Sequence, residues 1–427
     1  MNENFKSLFT KKSIIIKKNI VIGLSGGPDS MFLLMYVKSL QNYNNYFRKV
    51  IPVIVDHKLR KESSIEAAQT KMFCSELGFN SKIIKINEKY NSGNLQNWAR
   101  LKRREILYEY AQKYSADIML GHQQDDQLET IFMRLLKSSG FEGLVGIREF
   151  SIWKDVRLIR PLIKIKKKQI LNFLDKNLIP YVTDESNKDF RFERVKARKK
   201  LKLIQQNKFK NLDKNLLKLS KISKRLSDYF NKCYNNWSIS NVNFYSHGSI
   251  SINYNETSSL FEKNQEFCAY FIGKLIKNVS GNIYSPRKIK LIIKLNQIFK
   301  NKIQKFTISN AIIFKKMNRL NVIRENRNID ENIVISKANI NFFDDRFLVL
   351  SKYDGKLILC ENKKIDIVNF SNCNLFSKYS KLINYSLPKL KTLEGRIIKP
   401  YLYIIERKDI TNHIKKKSDY DLLFIRD

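Results

Sequence analysis

Residues 19–40, NIVIGLSGGPDSMFLLMYVKSL, join an apolar run of strand length to a helix-period run through a turn holding two glycines, a proline and two serines. A strand that enters a helix through a glycine turn commits this part of the chain to β-α units, and the pattern continues downstream. Strand-like segments recur at 50–56, 81–86 and 117–122, separated by helical periodicity over 64–77, 94–114 and 125–137. Strands alternating with helices predict an α/β fold with a doubly wound, mostly parallel sheet, whose ligands lie at the carboxyl ends of the strands.

The turn itself, SGGPDS at 25–30, has the chemistry of an anion site. Gly26 and Gly27 let the backbone approach a phosphate with no Cβ in the way, and the amides and dipole at the start of the following helix, predicted to be amphipathic, point at it. Ser25 and Ser30 add hydroxyl donors, and Pro28 stiffens the turn. Asp29 either caps the helix or helps hold a magnesium ion. The chain contains neither a GxxxxGK[ST] loop nor a GxGxxG fingerprint. SGGPDS resembles instead the SGGxDS loop of the PP-loop ATP pyrophosphatases, an adenine-nucleotide alpha-hydrolase-like superfamily that splits ATP into AMP and pyrophosphate.

Four further segments, in matching order, resemble the tRNA(Ile)-lysidine synthases of that superfamily: VDHKLR (55–60), NLQNWARLKRR (94–104), GHQQDDQLETIFMRLLKSSGFEGLVGI (121–147) and DESNKDFRFERVKAR (184–198). In GHQQDDQLET, Asp126 and Glu129 stand three apart on a predicted helix and share a face. Such a pair holds a metal or the ammonium of free lysine, or is a solvated acidic face. His122, at a strand end, is placed to contact the nucleotide or the departing AMP. Arg100 and Arg103 share a face in the same way and are candidate clamps for triphosphate or tRNA phosphate. Asp56 ends the second strand and His57 and Arg60 follow it, a location that suits adenine or ribose contacts or a strand-end turn needing polar residues. Arg191, Arg194 and Arg198 are candidates for tRNA phosphate contacts, although Val195 stands where one common family version has asparagine.

The resemblance implies ATP and Mg2+ as cofactors, and tRNA(Ile) with a CAU anticodon and free lysine as partners. It implies adenylation of C2 of the wobble cytidine followed by displacement of AMP by the lysine ε-amine. The product, lysidine, changes decoding from AUG to AUA. Lys+Arg 80 against Asp+Glu 40 leaves a net charge of +40, which suits a polyanionic partner. Lysine, asparagine and isoleucine also crowd the whole chain, as an AT-rich genome would produce, so charge alone does not choose. Cys74, Cys233, Cys268, Cys360 and Cys373 form no CxxC pair, which disfavours a disulfide scaffold, a zinc ribbon, a cysteine-held iron-sulfur cluster and the cysteine-dependent tRNA thiolases that share the loop. A non-catalytic RNA-binding protein would instead show erosion of the loop, and none is visible. No apolar run approaches the roughly 18 residues that span a bilayer, so a cytoplasmic protein without a membrane partner is expected, with a homodimer left open. Three regions are expected: a PP-loop catalytic domain over 1–203, a helical tRNA-binding region over 204–302, and a small α+β domain over 303–427 that starts with a β-hairpin at 305–325.

Overall fold

Strand β1 (Asn19–Leu24) is apolar on both faces, with Ile20, Val21 and Ile22 wholly buried, as a strand covered by helices on both sides of a sheet must be. The computed structural model describes residues 19–44, 47–58, 62–88, 90, 95–183, 193–207, 209, 211–330, 333–337, 340–359, 376, 379–406 and 420–426. Two units divide the chain, Met1–Ser227 and Asp228–Asp427.

In the first unit, β1 continues through the turn into α1 (Pro28–Asn44), followed by β2 (Lys49–Asp56), α2 (Ser63–Glu76), β3 (Lys82–Lys85), α3 (Leu95–Lys113), β4 (Asp117–Met119) and α4 (Gln124–Leu136). A short α5 (Phe141–Leu144) leads to a hairpin of β5 (Phe150–Trp153) and β6 (Val156–Ile159), then α6 (Lys167–Lys176), α7 (Glu193–Asn207) and α8 (Leu212–Asn241), within which the boundary between the units falls. The sheet order is β3-β2-β1-β4-β6-β5, parallel throughout except for the β5–β6 hairpin. The expected doubly wound, mostly parallel fold is therefore present. Because β1 has β2 on one side and β4 on the other, the winding reverses between β1 and β4, and a crevice opens beyond their carboxyl ends.

Helix α1 departs from the expected amphipathic pattern. Met31, Phe32, Leu33, Leu34 and Val37 are all buried, because the helix lies between the sheet and α6, where Phe32 meets Phe173 edge-on at 5.1 Å. The strand expected over 117–122 stops at Met119. Leu120 still donates its amide to the Ile159 carbonyl, but Gly121 passes so close to the start of α1 that a Cβ there would lie 2.9 Å from the Asp29 carbonyl oxygen. Close approach, not conformational freedom, requires glycine at this position.

The second unit contains an antiparallel sheet, β7-β8-β11-β10-β9, built from β7 (Val242–Phe244), β8 (Ile250–Asn253), β9 (Lys305–Ile308), β10 (Ala311–Lys316) and β11 (Arg319–Arg324). Between β8 and β9 the chain forms α9 (Tyr254–Lys263), α10 (Gln265–Ser280) and α11 (Lys288–Phe299). The hairpin expected over 305–325 is a three-stranded meander. Its two turns, Ser309-Asn310 and Met317-Asn318, each place both residues at positive φ, the backbone that matches the twist of a two-residue hairpin. Two four-stranded sheets complete this unit. One joins β12 (Ile333–Ile335), β15 (Gly355–Leu359), β16 (Pro388–Thr392) and β17 (Ile397–Ile398). The other joins β13 (Asn341–Phe343), β14 (Phe347–Ser351), β19 (Tyr420–Arg426) and β18 (Tyr401–Glu406), and α12 (Ser380–Tyr385) precedes β16. No described helix is long and apolar enough to cross a membrane.

Candidate active site

The turn after β1 is held open from within. The Ser30 hydroxyl donates to the Gly27 carbonyl at 2.8 Å and accepts from the Ser25 amide at 3.2 Å, while the amides of Ser30 and Met31 both donate to Gly27 at 3.0 Å. Ser30 is thus committed to shaping the loop, and the exposed Ser25 donates its hydroxyl to Ser30 Oγ at 3.4 Å. Gly26 adopts φ +72°, and a Cβ on it would lie 2.7 Å from Thr70 Oγ1 of α2. At Gly27 a Cβ would meet only Ser25 Oγ at 3.5 Å and the Val182 carbonyl at 3.9 Å, so the loop is clear on that side, as an incoming phosphate requires. Pro28 occupies the first position of α1, where its missing N–H costs nothing. From the far side, Val182 donates its amide to the Gly26 carbonyl at 2.9 Å.

Asp29 points to a cation. Its Oδ1 accepts from Lys167 Nζ at 2.7 Å, and the backbone amide of Lys167 donates to Asp125 at 3.2 Å, so the start of α6 spans both carboxylates. Burial raises the Asp29 carboxyl above its usual range, against the lowering effect of Lys167, and Asp126 and Asp125 add to the rise. Asp56 ends β2. It accepts from Lys58 N, Ser63 Oγ and Ser64 Oγ at 2.7–2.9 Å, which fixes the turn between β2 and α2. Burial opposes its charge, but these three hydrogen bonds win and its pKa is lowered. His57 beside it has both ring nitrogens buried without a hydrogen-bond partner, and burial, aided by Arg103, pushes its pKa down to about 4.

The second motif begins α4 with a capping box: Gln123 accepts from the Asp125 amide, and Asp126 accepts from the Gln123 amide at 3.1 Å. Asp126 and Glu129 do share a face, and that face meets α7. Arg194 donates to Asp126 at 2.8 Å and to Glu129 at 2.7 Å, and Arg198 donates to both oxygens of Glu129. Two carboxylates and two guanidinium groups thereby form a closed cluster around a Glu129 that is 2% exposed. Arg194 and Arg198, expected to face tRNA phosphate, are engaged with protein carboxylates. Arg191 and Arg60 lie outside the described residues.

His122 occupies the centre of a positive field. Burial, then the charges of Arg160, Arg100, Arg194 and Arg103, push its pKa down to about 3, and its Nδ1 is buried without a partner. Arg100 and Arg103 remain exposed on α3, yet protein atoms crowd the Arg100 guanidinium. That crowding lowers its pKa first, and Arg194 adds repulsion that Asp126 partly offsets. A neutral imidazole among guanidinium groups at the β1/β4 crevice has the chemistry that would suit a polyanion, because the charges are in place before any ligand. Three contributors are not singled out by sequence reasoning: Lys167, Arg160 and the Val182 amide. Arg160 directly follows β6 and precedes a proline, a position at the carboxyl end of a sheet strand that is the one signal available for it.

Among the described residues no three His, Cys, Asp or Glu side chains converge on a metal position. Magnesium bound to a nucleotide needs only one or two carboxylates, since phosphate oxygens and water supply the rest, so Asp29 fits that ion by its donor chemistry. Cys74 and Cys268 are buried free thiols, and Cys233 is partly buried.

A family model described as a PP-loop domain matches residues 1–205. The chain is 36% identical over 225 residues to tRNA(Ile)-lysidine synthase of Chlamydia pneumoniae, covering 52% of this chain and 68% of that one. It is 26% identical over 414 residues to tRNA(Ile)-lysidine synthase of Mycoplasma mycoides subsp. mycoides SC, covering 93% and 97%. Among solved structures it is similar to the U34-tRNA thiolase NcsA from Methanococcus maripaludis, 20% identical with a TM-score of 0.43 over 52% of this chain and 77% of that one.

Proposed function

The chain belongs to the tRNA(Ile)-lysidine synthase family, and from that premise we propose that it is an ATP-dependent ligase joining lysine to C2 of the wobble cytidine in the CAU anticodon of tRNA(Ile). The observation that carries this reading is the convergence of the SGGPDS turn, the GHQQDDQLET helix and the arginines around His122 at one crevice of the sheet. In the first step the C2 carbonyl oxygen attacks the α-phosphorus of ATP and pyrophosphate leaves. In the second the lysine ε-amine attacks C2, the C2–O bond breaks, and AMP departs as the amine loses a proton.

Positioning and charge neutralisation dominate both steps. The turn at Ser25–Gly27 and the start of α1 take the phosphates to be released. Arg100 and Arg103 balance charge on the α-phosphate, and neutral His122 can donate to or accept from the departing AMP but carries no charge of its own. A magnesium ion held by Asp29 would neutralise phosphate charge. Of the carboxylate pair, Asp126 keeps 18% of its side-chain surface and Glu129 only 2%, so Asp126 is the better placed to receive the lysine ammonium and take its proton, while Glu129 anchors α7. The helical residues from 204 onward are assigned to tRNA binding, and the boundary expected at 302/303 falls inside one sheet, since β8 pairs with β11.

Incubation with ATP, labelled lysine and total tRNA tests the reaction. Label should enter one isoleucine acceptor, with one AMP and one pyrophosphate formed per lysine. A protein that ignores lysine and consumes a sulfur donor would be a thiolase, and one that binds tRNA without hydrolysing ATP would be a non-catalytic RNA-binding protein.

A further inference from the structure

Arg160 stands at the carboxyl end of β6, one residue beyond Ile159, whose carbonyl accepts from Leu120 in the segment that carries His122. Its guanidinium is gripped from one side only. Nη1 donates to the Arg148 carbonyl at 3.0 Å and to Ser151 Oγ at 2.9 Å, both near the start of β5, while Nε is buried with no hydrogen-bond partner. An arginine held by one terminal nitrogen keeps its Nε–Nη2 edge as a preset fork, the edge that takes two oxygens of a phosphate or carboxylate side-on.

The surroundings select the phosphate. Arg160 is the leading charge acting on His122, and its own nearest charged influences are the guanidinium groups of Arg104 and Arg100. Arg104 in turn lies over the Trp153 ring at 4.8 Å, which fixes it beside the same hairpin. A buried donor without a partner, set among like charges, costs free energy that nothing among these residues offsets, and an incoming anion would remove both penalties at once. Burial and the two arginines push the Arg160 pKa down to about 10, so it remains a full cation at neutral pH.

We propose that Arg160 is a phosphate-binding residue of the active site, closing with its Nε–Nη2 edge on a phosphate that lies beside His122. This rests on the ATP-dependent tRNA reaction above, and the phosphate is either the α-phosphate of ATP or a phosphodiester of the bound tRNA. Arg160 is tethered to the β5–β6 hairpin and not to the turn after β1. It therefore acts on the part of the nucleotide that stays behind when pyrophosphate leaves, or on the strand presented to it.

Equilibrium dialysis of the full chain with ATP, AMP and adenosine, without lysine, tests the assignment, together with tRNA filter binding over a series of salt concentrations. Arg160→Gln should weaken ATP and AMP about tenfold or more while adenosine binding is unchanged, the loss expected for one charge-assisted contact. Unchanged ATP and AMP binding with a tRNA salt slope reduced by about 0.7–0.9 would assign the phosphate to tRNA. If neither ligand class responds, or adenosine weakens as much as ATP, Arg160 merely braces the hairpin and the proposal is overturned. Should Arg160→Gln fail to fold, Arg160→Lys keeps the stem and the charge but lacks the fork, and the same selective loss of ATP and AMP is expected. A wild-type protein that binds ATP but transfers no lysine would sink the proposed reaction and leave this assignment standing.

Discussion

Glu129→Gln preserves the shape of the side chain and removes the one charge that Arg194 and Arg198 share. Breaking a buried ion pair by deleting one partner costs about 3–5 kcal/mol when both groups are dry. Here Glu129 is 2% exposed, but the two arginines keep 27% and 37% of their side-chain surface, so water screens part of the loss. Asp126 also continues to hold Arg194. About 2 kcal/mol remains as the expected cost. For a unit of roughly 200 residues each kcal/mol lowers Tm by about 2–4 °C, so the first unit should melt about 4–8 °C lower. Differential scanning calorimetry of the full chain at neutral pH and low salt measures this, and added salt should narrow the difference. Because α7 loses its anchor while the turn after β1 is untouched, lysine transfer should fall more steeply than ATP binding. An unchanged melting transition with unchanged transfer would refute the claim that Glu129 ties α7 to α4.

Gly121→Ala would set a Cβ 2.9 Å from the Asp29 carbonyl oxygen, a backbone atom that cannot swing aside, so ATP affinity should drop about tenfold in titration calorimetry, as for loss of one charge-assisted contact. Ser30→Ala removes the internal brace of the turn and should cost about 1 kcal/mol in urea unfolding, with weaker ATP binding alongside. His57 and His122 carry folded pKa values of about 4 and about 3, below the unfolded 6.5, so as pH falls through 6.5 the unfolded state takes up their protons first. Stability should decline from pH 6.5 towards 4 by up to about 1.4 kcal/mol per pH unit for each histidine, with the raised Asp29 and Asp125 carboxyls opposing this at the acid end. Substituting both histidines with asparagine should flatten that decline in denaturant melts across this pH range, and an unaltered slope would place its origin elsewhere.

The doubly wound sheet and the location of the crevice were legible in the sequence because strand and helix periods alternate cleanly and both motifs follow strands that prove to be β1 and β4. The partners of the motif residues were not legible. Spacing puts Asp126 and Glu129 on one face, and Arg194 and Arg198 on another four apart, but it does not show that the two faces meet. A basic helix face reads the same whether it lies against phosphate or carboxylate. Ser30 and Ser25 have equal chemistry in the sequence, and only the folded turn separates them, with Ser30 buried and donating to the Gly27 carbonyl and Ser25 exposed and donating to Ser30. Lys167 is a single cation in a chain crowded with them, and the one signal for Arg160, its place at a strand end before Pro161, depends on a strand that the sequence periods did not pick out. The burial of α1 escaped its own pattern because it depends on α6, far along the chain. Residues 305–325 read as one hairpin where the structure has two turns, one of which holds Met317 at φ 49°, a conformation such a residue rarely takes and the neighbouring strands impose.

The bonds that grip the turn after β1 come from late in the chain: Asp29 meets Lys167 across 138 residues, and Gly26 is bridged by Val182. During synthesis, therefore, the nucleotide loop emerges from the ribosome long before the segment that completes it. At about 5–20 residues per second it would wait on the order of ten seconds for those partners. A nascent chain halted before residue 167 would carry the whole SGGPDS motif and still lack its closure, so tight capture of ATP is expected only once residues 167–182 have emerged.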